Sequence, residues 1–249
     1  MAYIDRDGVK IYYEDHGQGP AILLTHGFAD TSIFWRGQVA AFSDRYRVIT
    51  WDMRGHGQSD SPDDPALYSE DHTVGDMAAI LDTCGVERAV LGGLSLGGFM
   101  SLAFNLRHPG RVRALMLFDT GPGYRSAEGR AGWNQTALAR AAGFEERGLD
   151  AANRRQRLEH RSPEGLAKAA RGMLAQFDGR VIESLPGIAV PTLVLVGAND
   201  QPFMAAADYM AAKIPGARKG VIAGAGHTIN LDQPEAFNAA VEEFLASLA

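Results

Sequence analysis

Residues 93–97 read Gly93-Leu94-Ser95-Leu96-Gly97, and the setting of this pentapeptide decides the fold. An apolar run, Ala89 to Leu94, leads into it, and a helical stretch begins at Leu96. A strand-turn-helix corner of this kind strains the serine backbone and exposes its hydroxyl, while the flanking glycines avoid Cβ clashes. The pattern alone arises by chance about 0.1 times per chain of this composition, and the alternative is a glycine-rich packing turn. In this setting it predicts a nucleophilic serine.

Short apolar runs alternate with helical stretches on both sides of this corner. The runs are nearly continuous in Val, Ile, Leu and Ala, as in strands that helices cover on both faces. An Asp-Gly pair between residues 3–6 and 9–15 predicts an opening hairpin. The later strands are predicted at Ala21 to Thr25, Val48 to Trp51, Ala89 to Leu94, Ala114 to Phe118, Thr192 to Val196 and Lys219 to Ile222.

Helical stretches between these runs are marked by glycine or proline at their ends. They are predicted at Thr73 to Cys84, Leu96 to Arg107, Phe203 to Ile214 and Pro234 to Leu248. Repeated strand-helix units predict the α/β fold class, with a mostly parallel, doubly wound sheet.

The segment from Gly121 to Pro186 breaks this rhythm, because no convincing strand lies in it. Its large apolar residues, Trp133 among them, recur at loosely helical spacing. We therefore expect a small helical cap (residues 121–186) inserted into a core formed by residues 1–120 and 187–249. The arginines of the cap, such as Arg154, Arg155, Arg157 and Arg161, are interpreted as a solvated helix face. Attraction of anionic substrates is the alternative.

Composition excludes several classes of protein. The chain has 249 residues, 46% of them hydrophobic, and a formal net charge of −6, which disfavours nucleic-acid binding. No apolar run approaches the roughly 20 residues that span a bilayer, so no membrane association is expected. The start of the chain lacks the pattern of a signal peptide, and the single cysteine, Cys84, forms no internal disulfide. These features favour a cytoplasmic protein whose oligomeric state the sequence leaves open.

A serine nucleophile needs a general base, and His227 is the best placed of seven histidines. It follows the last apolar run in a glycine-rich loop, Ala223 to Gly226. The alternatives are His26, which lies just after the first long apolar run, and His56, which lies in the segment Asp52 to Gly57. The remaining four, in turn-like or helical surroundings, are interpreted as surface or capping residues; they are His16, His72, His108 and His160.

The base in turn needs an acid that holds its tautomer. Asp200 comes just after the run Thr192 to Gly197, in the pattern Val-Gly-Ala-Asn-Asp. Asp119 follows the run Ala114 to Phe118 in the same way and is the alternative. We predict that Asp200 is the acid and that Asp119 caps a loop at the edge of the sheet.

The sequence resembles the α/β-hydrolase superfamily, in the branch of small carboxylesterases, enol-lactonases and cofactor-free haloperoxidase-like enzymes. The resemblance spans nearly the whole chain and is weakest in the predicted cap. The family's order of nucleophile, acid and histidine is matched by Ser95, Asp200 and His227. Five features occur in the family's order: His26-Gly27-Phe28, the segment Asp52 to Ser59, the Ser95 corner, Gly197 to Asp200, and Gly226-His227.

The resemblance implies an oxyanion hole made by two backbone N–H groups, those of Leu96 and Phe28. It also implies that His26, Asp52 and Arg54 brace loops rather than react. Candidate pocket walls are Phe28, Leu96, Trp133, Phe203 and Ile229, although each is as readily a core residue.

Serine at position 95 argues against a haloalkane dehalogenase or an epoxide hydrolase, because members of those families place an aspartate there. No metal or nucleotide motif is present, so no cofactor is expected. The resemblance implies hydrolysis of a small to medium carboxylic ester through an acyl-enzyme, with a small molecule as the only predicted partner. The alternatives are a lactonase, a C–C hydrolase or perhydrolase with the same triad, and a non-catalytic ligand-binding protein.

Overall fold

A computed structural model describes residues 2–248, and eight strands of this part of the chain form one sheet. The strands are β1 (Ala2–Arg6), β2 (Val9–His16), β3 (Ala21–Thr25), β4 (Arg47–Trp51), β5 (Ala89–Leu94), β6 (Val112–Phe118), β7 (Thr192–Gly197) and β8 (Arg218–Ile222). Their order across the sheet is β1-β2-β4-β3-β5-β6-β7-β8.

The sheet is antiparallel only at its first edge. β1 pairs with β2 and β2 with β4 in antiparallel register, whereas every pairing from β4 across to β8 is parallel. Thr25 of β3 lies between Trp51 of β4 and Gly93 of β5. The carboxyl ends of the parallel strands therefore meet at one edge, which is where ligands bind in such sheets. The predicted hairpin and doubly wound sheet are confirmed.

Ten α-helices lie in the described part of the chain. They are α1 (Arg36–Phe42), α2 (Glu70–Thr83), α3 (Leu96–Arg107), α4 (Ala127–Arg147), α5 (Arg154–Glu159), α6 (Pro163–Ala169), α7 (Arg180–Ser184), α8 (Gln201–Lys213), α9 (Ile229–Asp232) and α10 (Pro234–Ala246). The helix predicted from Thr73 begins earlier, at Glu70, because the Ser69 side chain accepts a hydrogen bond from the His72 amide and caps it.

Each face of the sheet carries its own hydrophobic core. On β3, Leu23 packs into one core with α2 and α3, whereas Ile22 and Leu24 pack into the other with α1 and α10. Every residue of β3 is buried. Burial on both faces explains why the strands read as continuous apolar runs instead of alternating with polar residues.

Residues 121–186 contain helices α4 to α7 and none of the strands found in residues 2–248. The segment is held together partly by hydrogen bonds from α4. The Trp133 indole donates to the Leu174 carbonyl at 2.8 Å, and the Asn134 side chain bonds both the amide and the carbonyl of Gln176. The division of the chain into a core and a cap stays a prediction.

Candidate active site

Ser95 lies between β5 and α3 in a backbone conformation that few non-glycine residues adopt. Its φ is +52° and its ψ is −116°. Its amide donates to the Phe118 carbonyl at 2.9 Å, and the Thr120 hydroxyl donates to the Ser95 carbonyl at 2.6 Å. Strain of this kind persists only where the surroundings hold it, and these two bonds tie the corner to the end of β6. The Ser95 side chain lines a cavity.

The second glycine of the corner permits α3 to pack against β3. A Cβ atom on Gly97 would lie 2.1 Å from the Thr25 carbonyl oxygen and 2.7 Å from that of His26. Both contacts are far inside the van der Waals distance and involve backbone atoms. The close approach brings the first turn of α3 beside the loop that follows β3.

His227 and Asp200 are joined as the sequence analysis predicts. The Asp200 Oδ2 atom lies 2.7 Å from His227 Nδ1. The carboxylate is buried, whereas 41% of the imidazole is exposed. Phe203 stacks on the imidazole with ring centroids 4.9 Å apart. A carboxylate partner selects the tautomer that carries its proton on Nδ1, so Nε2 is left as the basic atom.

No hydrogen bond joins the Ser95 hydroxyl to His227 within residues 2–248. Contacts of this kind are often long in the free enzyme and tighten when substrate binds. Ser95 and Phe203 line the same cavity, and Phe203 carries the stacked imidazole. His227 therefore packs on a wall of the cavity that Ser95 also lines.

Asp119 has a different role from Asp200. Its Oδ1 atom accepts a hydrogen bond from the Gly197 amide at 2.8 Å, and its Oδ2 atom is buried without a donor among residues 2–248. Burial first, and then the neighbouring Asp200 carboxylate, raise the pKa of Asp119 to about 8. A carboxyl group whose pKa lies above 7 keeps its proton at neutral pH, so Asp119 is uncharged there.

The two backbone amides predicted to form an oxyanion hole have no hydrogen-bond acceptor among residues 2–248. Leu96 is the first residue of α3, and Phe28 lies in the loop after β3. Neither amide donates a hydrogen bond to another group in the described residues. The Phe28 ring is buried edge-on against His56 and Phe144. The next residue, Ala29, has a φ of +59°, which turns the chain sharply after Phe28.

A cavity of about 330 Å³ opens beside Ser95. Its size is typical of a site for a small ligand. The side chains around it are mainly apolar, and those from the described residues include no Asp, Glu, Lys, Arg or His. The lining residues are Ser95, Leu96, Phe99, Thr120, Gly121, Pro122, Gly123, Tyr124, Trp133, Leu174, Gln176, Ile182, Pro202, Phe203, Ala205, Ala206 and Tyr209.

The predicted wall residues fall into two groups. Leu96, Trp133 and Phe203 line the cavity. Phe28 lies outside its lining, and Ile229 is fully buried in the core that contains α1 and α10, on the other face of the sheet. Ile229 begins α9, which turns its side chain into that core, so its expected place in the pocket wall is corrected.

Comparison with known proteins matches residues 20–162, more than half of the chain, to the family described as the alpha/beta hydrolase fold. The chain belongs to the α/β-hydrolase family. The family and the fold expected from the resemblance are thereby confirmed. The relatives of this α/β-hydrolase support the interpretation that it is a hydrolase.

Three relatives illustrate the range of this family. The 3-oxoadipate enol-lactonase 2 of Acinetobacter baylyi is 31% identical over 255 residues, which cover 94% of this chain and 92% of that protein. A thermophilic esterase from Thermogutta terrifontis is 29% identical with a TM-score of 0.86, covering 100% of this chain and 99% of that one. An epoxide hydrolase of Caballeronia sordidicola is 40% identical over 113 residues, which cover 45% of this chain and 34% of that protein.

Two other segments that carry the family resemblance contain His26 and Asp52, whose side chains bond loop backbone in this α/β-hydrolase. His26 is fully buried; its Nδ1 donates to the Gly27 carbonyl at 2.7 Å and its Nε2 accepts from the Met53 amide at 3.0 Å. Burial lowers the pKa of His26 to about 3, so it stays neutral. Asp52 accepts from the amides of Ser32 and Gln58. These contacts agree with the bracing roles that the resemblance implies.

His160 is predicted to be a surface or capping residue. It is the C-cap residue of α5, but the structure corrects its expected place at the surface. Its side chain is buried, with Nδ1 accepting from the Gly57 amide at 3.0 Å and Nε2 donating to the Ala29 carbonyl at 2.9 Å. Arg155, expected on a solvated helix face, forms an ion pair with buried Asp30. Both residues belong to the helical segment 121–186, and local spacing gives no signal that this segment packs over the loop after β3.

Three further observations bear on the sequence analysis. In the chain from residue 2 to residue 248, no helix is both long and apolar enough to cross a membrane. The same residues include no cluster of three or more His, Cys, Asp or Glu side chains placed to hold a metal ion. Burial raises the pKa of the Cys84 thiol to about 11, which disfavours the reactive thiolate.

Proposed function

We propose that this protein hydrolyses small to medium, uncharged carboxylic esters through an acyl-enzyme on Ser95. One observation carries the proposal: the imidazole of His227 is bonded to buried Asp200 and stacks on Phe203, which lines the same apolar cavity as Ser95. A hydroxyl on a strained corner, a base held in one tautomer and two free amides are the parts that acyl transfer needs.

The reaction proceeds in two halves. His227 Nε2 takes the Ser95 proton as the serine oxygen attacks the ester carbonyl carbon, and the carbonyl electron pair moves to oxygen. The N–H groups of Leu96 and Phe28 bind this oxyanion. Collapse of the intermediate breaks the C–O bond, and the alcohol leaves with the proton held by His227. Water then attacks the acyl-enzyme, with His227 again as base, and releases the acid.

The cavity favours an uncharged substrate. A carboxylate buried against this lining would lose its hydration without meeting a cation, which is costly. Phe99, Trp133 and Tyr209 instead offer aromatic surface to an apolar acyl or alcohol group. The arginines of residues 121–186 do not line the cavity, so attraction of anionic substrates receives no support from its lining.

A lactonase is the second candidate function. The relative named 3-oxoadipate enol-lactonase 2 aligns over 94% of this chain, and a lactone is a cyclic ester that the same triad opens. The uncharged cavity favours lactones without a carboxylate. C–C hydrolysis, perhydrolysis and ligand binding without catalysis have no observation of their own in their favour.

The first experiment replaces the proposed nucleophile. Ser95→Ala should reduce hydrolysis of p-nitrophenyl butyrate by about a millionfold, as the loss of a triad member does elsewhere. A fluorophosphonate should label the wild-type chain once, at Ser95, as located by peptide mass spectrometry. Ser247→Ala, at the exposed end of α10, is the matched control and should change neither result.

Two outcomes separate the alternatives. Near-normal turnover by Ser95→Ala contradicts the proposal, and a wild-type chain that is neither labelled nor active supports a binding protein. A panel of neutral esters and neutral lactones then ranks kcat/KM; a preference above tenfold for lactones selects the second candidate.

A further inference from the structure

The loop after β3 is held from outside by one short element. Arg155 and Gln156 of α5 bond the Asp30 carboxylate, and Glu159 of α5 accepts a hydrogen bond from the Thr31 hydroxyl at 2.8 Å. His160, the next residue, donates to the Ala29 carbonyl at 2.9 Å. We call Arg155, Gln156, Glu159 and His160 the α5 clamp. Its contacts cover three consecutive residues of the loop, 29 to 31.

The loop needs such support because of its own conformation. Ala29 has a φ of +59° without being glycine, so the loop is strained at that residue. Its internal hydrogen bonds are the turn from the Asp30 amide to the Gly27 carbonyl, at 3.1 Å, and one from Phe34 to Thr31. Asp30 is also buried, and a buried carboxylate is tolerated when a cation pairs with it. Arg155 supplies that cation.

His160 joins the clamp to a second loop, the one that contains Gly57, and its two hydrogen bonds fix its tautomer. It accepts from the Gly57 amide through Nδ1 and donates to Ala29 through Nε2. Only the neutral tautomer with its proton on Nε2 makes both bonds. The charged or titratable groups around it are Asp30, Glu159, Arg155 and the rings of His26 and His56, with His56 at a centroid distance of 5.7 Å.

The residue held next to this clamp is Phe28, whose amide is free. We propose that the α5 clamp aims the Phe28 N–H at the oxyanion on Ser95, which makes Arg155 and His160 positioning residues for the reaction. The inference rests on the proposed function, since it assigns a task to the amide of Phe28. A donor displaced by a fraction of an ångström still permits substrate to bind but stabilises the transition state less.

Two variants test the clamp. His160→Phe keeps an aromatic ring and removes both hydrogen bonds, and Arg155→Met keeps the length of the side chain and removes its charge. Each should lower kcat on p-nitrophenyl butyrate by about tenfold to hundredfold, with KM changed less than twofold. The affinity for butylboronic acid, which forms a tetrahedral adduct with the serine, should fall in parallel with kcat/KM.

Arg157→Met is the matched control. Arg157 lies on the same helix but pairs with exposed Asp150, and in residues 2–248 no side-chain hydrogen bond or ion pair joins it to the loop. It should keep the wild-type kcat and boronate affinity. Arg155→Lys, which keeps the charge, should restore part of the loss in Arg155→Met.

The results separate the clamp from the proposed function. Folded His160→Phe and Arg155→Met with wild-type kcat and boronate affinity overturn the clamp while the function stands. A wild-type chain that neither hydrolyses the ester nor binds the boronate overturns both. If circular dichroism shows either variant unfolded, Thr31→Val replaces it in the test, because it removes only the hydrogen bond to Glu159. An unchanged kcat then overturns the clamp, and a lower kcat with constant KM supports it.

Discussion

Two aspartates follow neighbouring strands, and their surroundings give them different roles. Asp200 follows β7 and bonds His227 at 2.7 Å. Asp119 follows β6, bonds the Gly197 amide, and has its pKa raised to about 8 by burial and by Asp200. A proton held at Asp119 removes a second negative charge from the neighbourhood of Asp200.

The proton on Asp119 predicts a pH-dependent stability. Between its unfolded pKa of 3.8 and its folded pKa of about 8, the native state holds a proton that the unfolded state has lost. The free energy of unfolding contributed by this group therefore decreases as pH rises through that window. Asp119→Asn does not titrate and keeps the acceptor for Gly197. Its stability relative to wild type should increase from pH 5 to pH 8.

Thermal unfolding at a series of pH values measures this difference. Asp150→Asn, at a largely exposed carboxylate, is the control and should give a small difference across the same range. A difference between Asp119→Asn and wild type that does not change with pH contradicts the assignment of the proton.

At the scale of elements, the corner between β5 and α3 depends on how closely the helix approaches β3. The carbonyls of Thr25 and His26 lie where a Cβ on Gly97 would be. The same two residues lead directly into Phe28. Any outward shift of α3 therefore changes the spacing between the two free amides as well as the packing of the core.

Gly97→Ala should lower both stability and turnover. Overpacking at such a site costs about 1–3 kcal/mol, and the displaced corner should reduce kcat. Gly132→Ala is the matched control: Gly132 lies in α4 with no atom within 4 Å of an added Cβ, so alanine should raise stability by up to about 1 kcal/mol. Chemical denaturation of both variants measures the two effects. Equal stability of Gly97→Ala and wild type argues against the close approach.

At the scale of the whole molecule, a cluster of three histidines is buried where the segment 153–160 meets the two loops after β3 and β4. The ring centroids of His26 and His56 are 5.1 Å apart, and those of His56 and His160 are 5.7 Å apart. Burial is the main cause that lowers the pKa of each, to about 3 for His26. The native state therefore holds all three neutral.

This cluster predicts loss of stability in acid. Below the unfolded pKa of 6.5, the three histidines bind protons in the unfolded state but stay neutral in the folded state. Their contribution to the free energy of unfolding therefore falls as pH falls towards 3. The carboxyl groups whose pKa values are raised by burial act in the opposite direction; they are Asp119, Asp30, Asp52 and Glu70. The contribution of the histidines is therefore measured as a difference: the melting temperature of His160→Phe, which does not titrate at this position, should rise relative to wild type between pH 7 and pH 5, and wild type should take up more protons on unfolding at pH 5. A difference in melting temperature that does not change with pH, with equal proton uptake, contradicts the prediction.

The prediction of the fold succeeded where the signals are local. The strand Ala21–Thr25 and the helix Leu96–Arg107 have the predicted bounds, because continuous apolar runs and glycine or proline boundaries act within a few residues. The start of α2 was missed because the cap at Ser69 lies outside the apolar pattern. Helix α1 was missed as well, since it is only seven residues long.

The candidate site was predicted in part for the same reason. Ser95, Asp200 and His227 each follow a strand, and parallel strands bring their carboxyl ends to one edge. Spacing alone left Asp119 open as the acid, because it follows a strand equally well. The structure separates the two: Asp200 bonds the imidazole, and Asp119 bonds a backbone amide.

By itself, the amino-acid sequence determined the order of the strands and helices and the sharp corner at Ser95, since hydrophobic period and steric freedom are properties of neighbouring residues. Only the tertiary structure decided which carboxylate meets His227, which side chains line the cavity, and that α5 and His160 bond residues 29–31 of the loop after β3. The bond from His160 to Ala29 joins residues 131 positions apart. Contacts at that separation depend on how whole elements pack, and no local pattern encodes them.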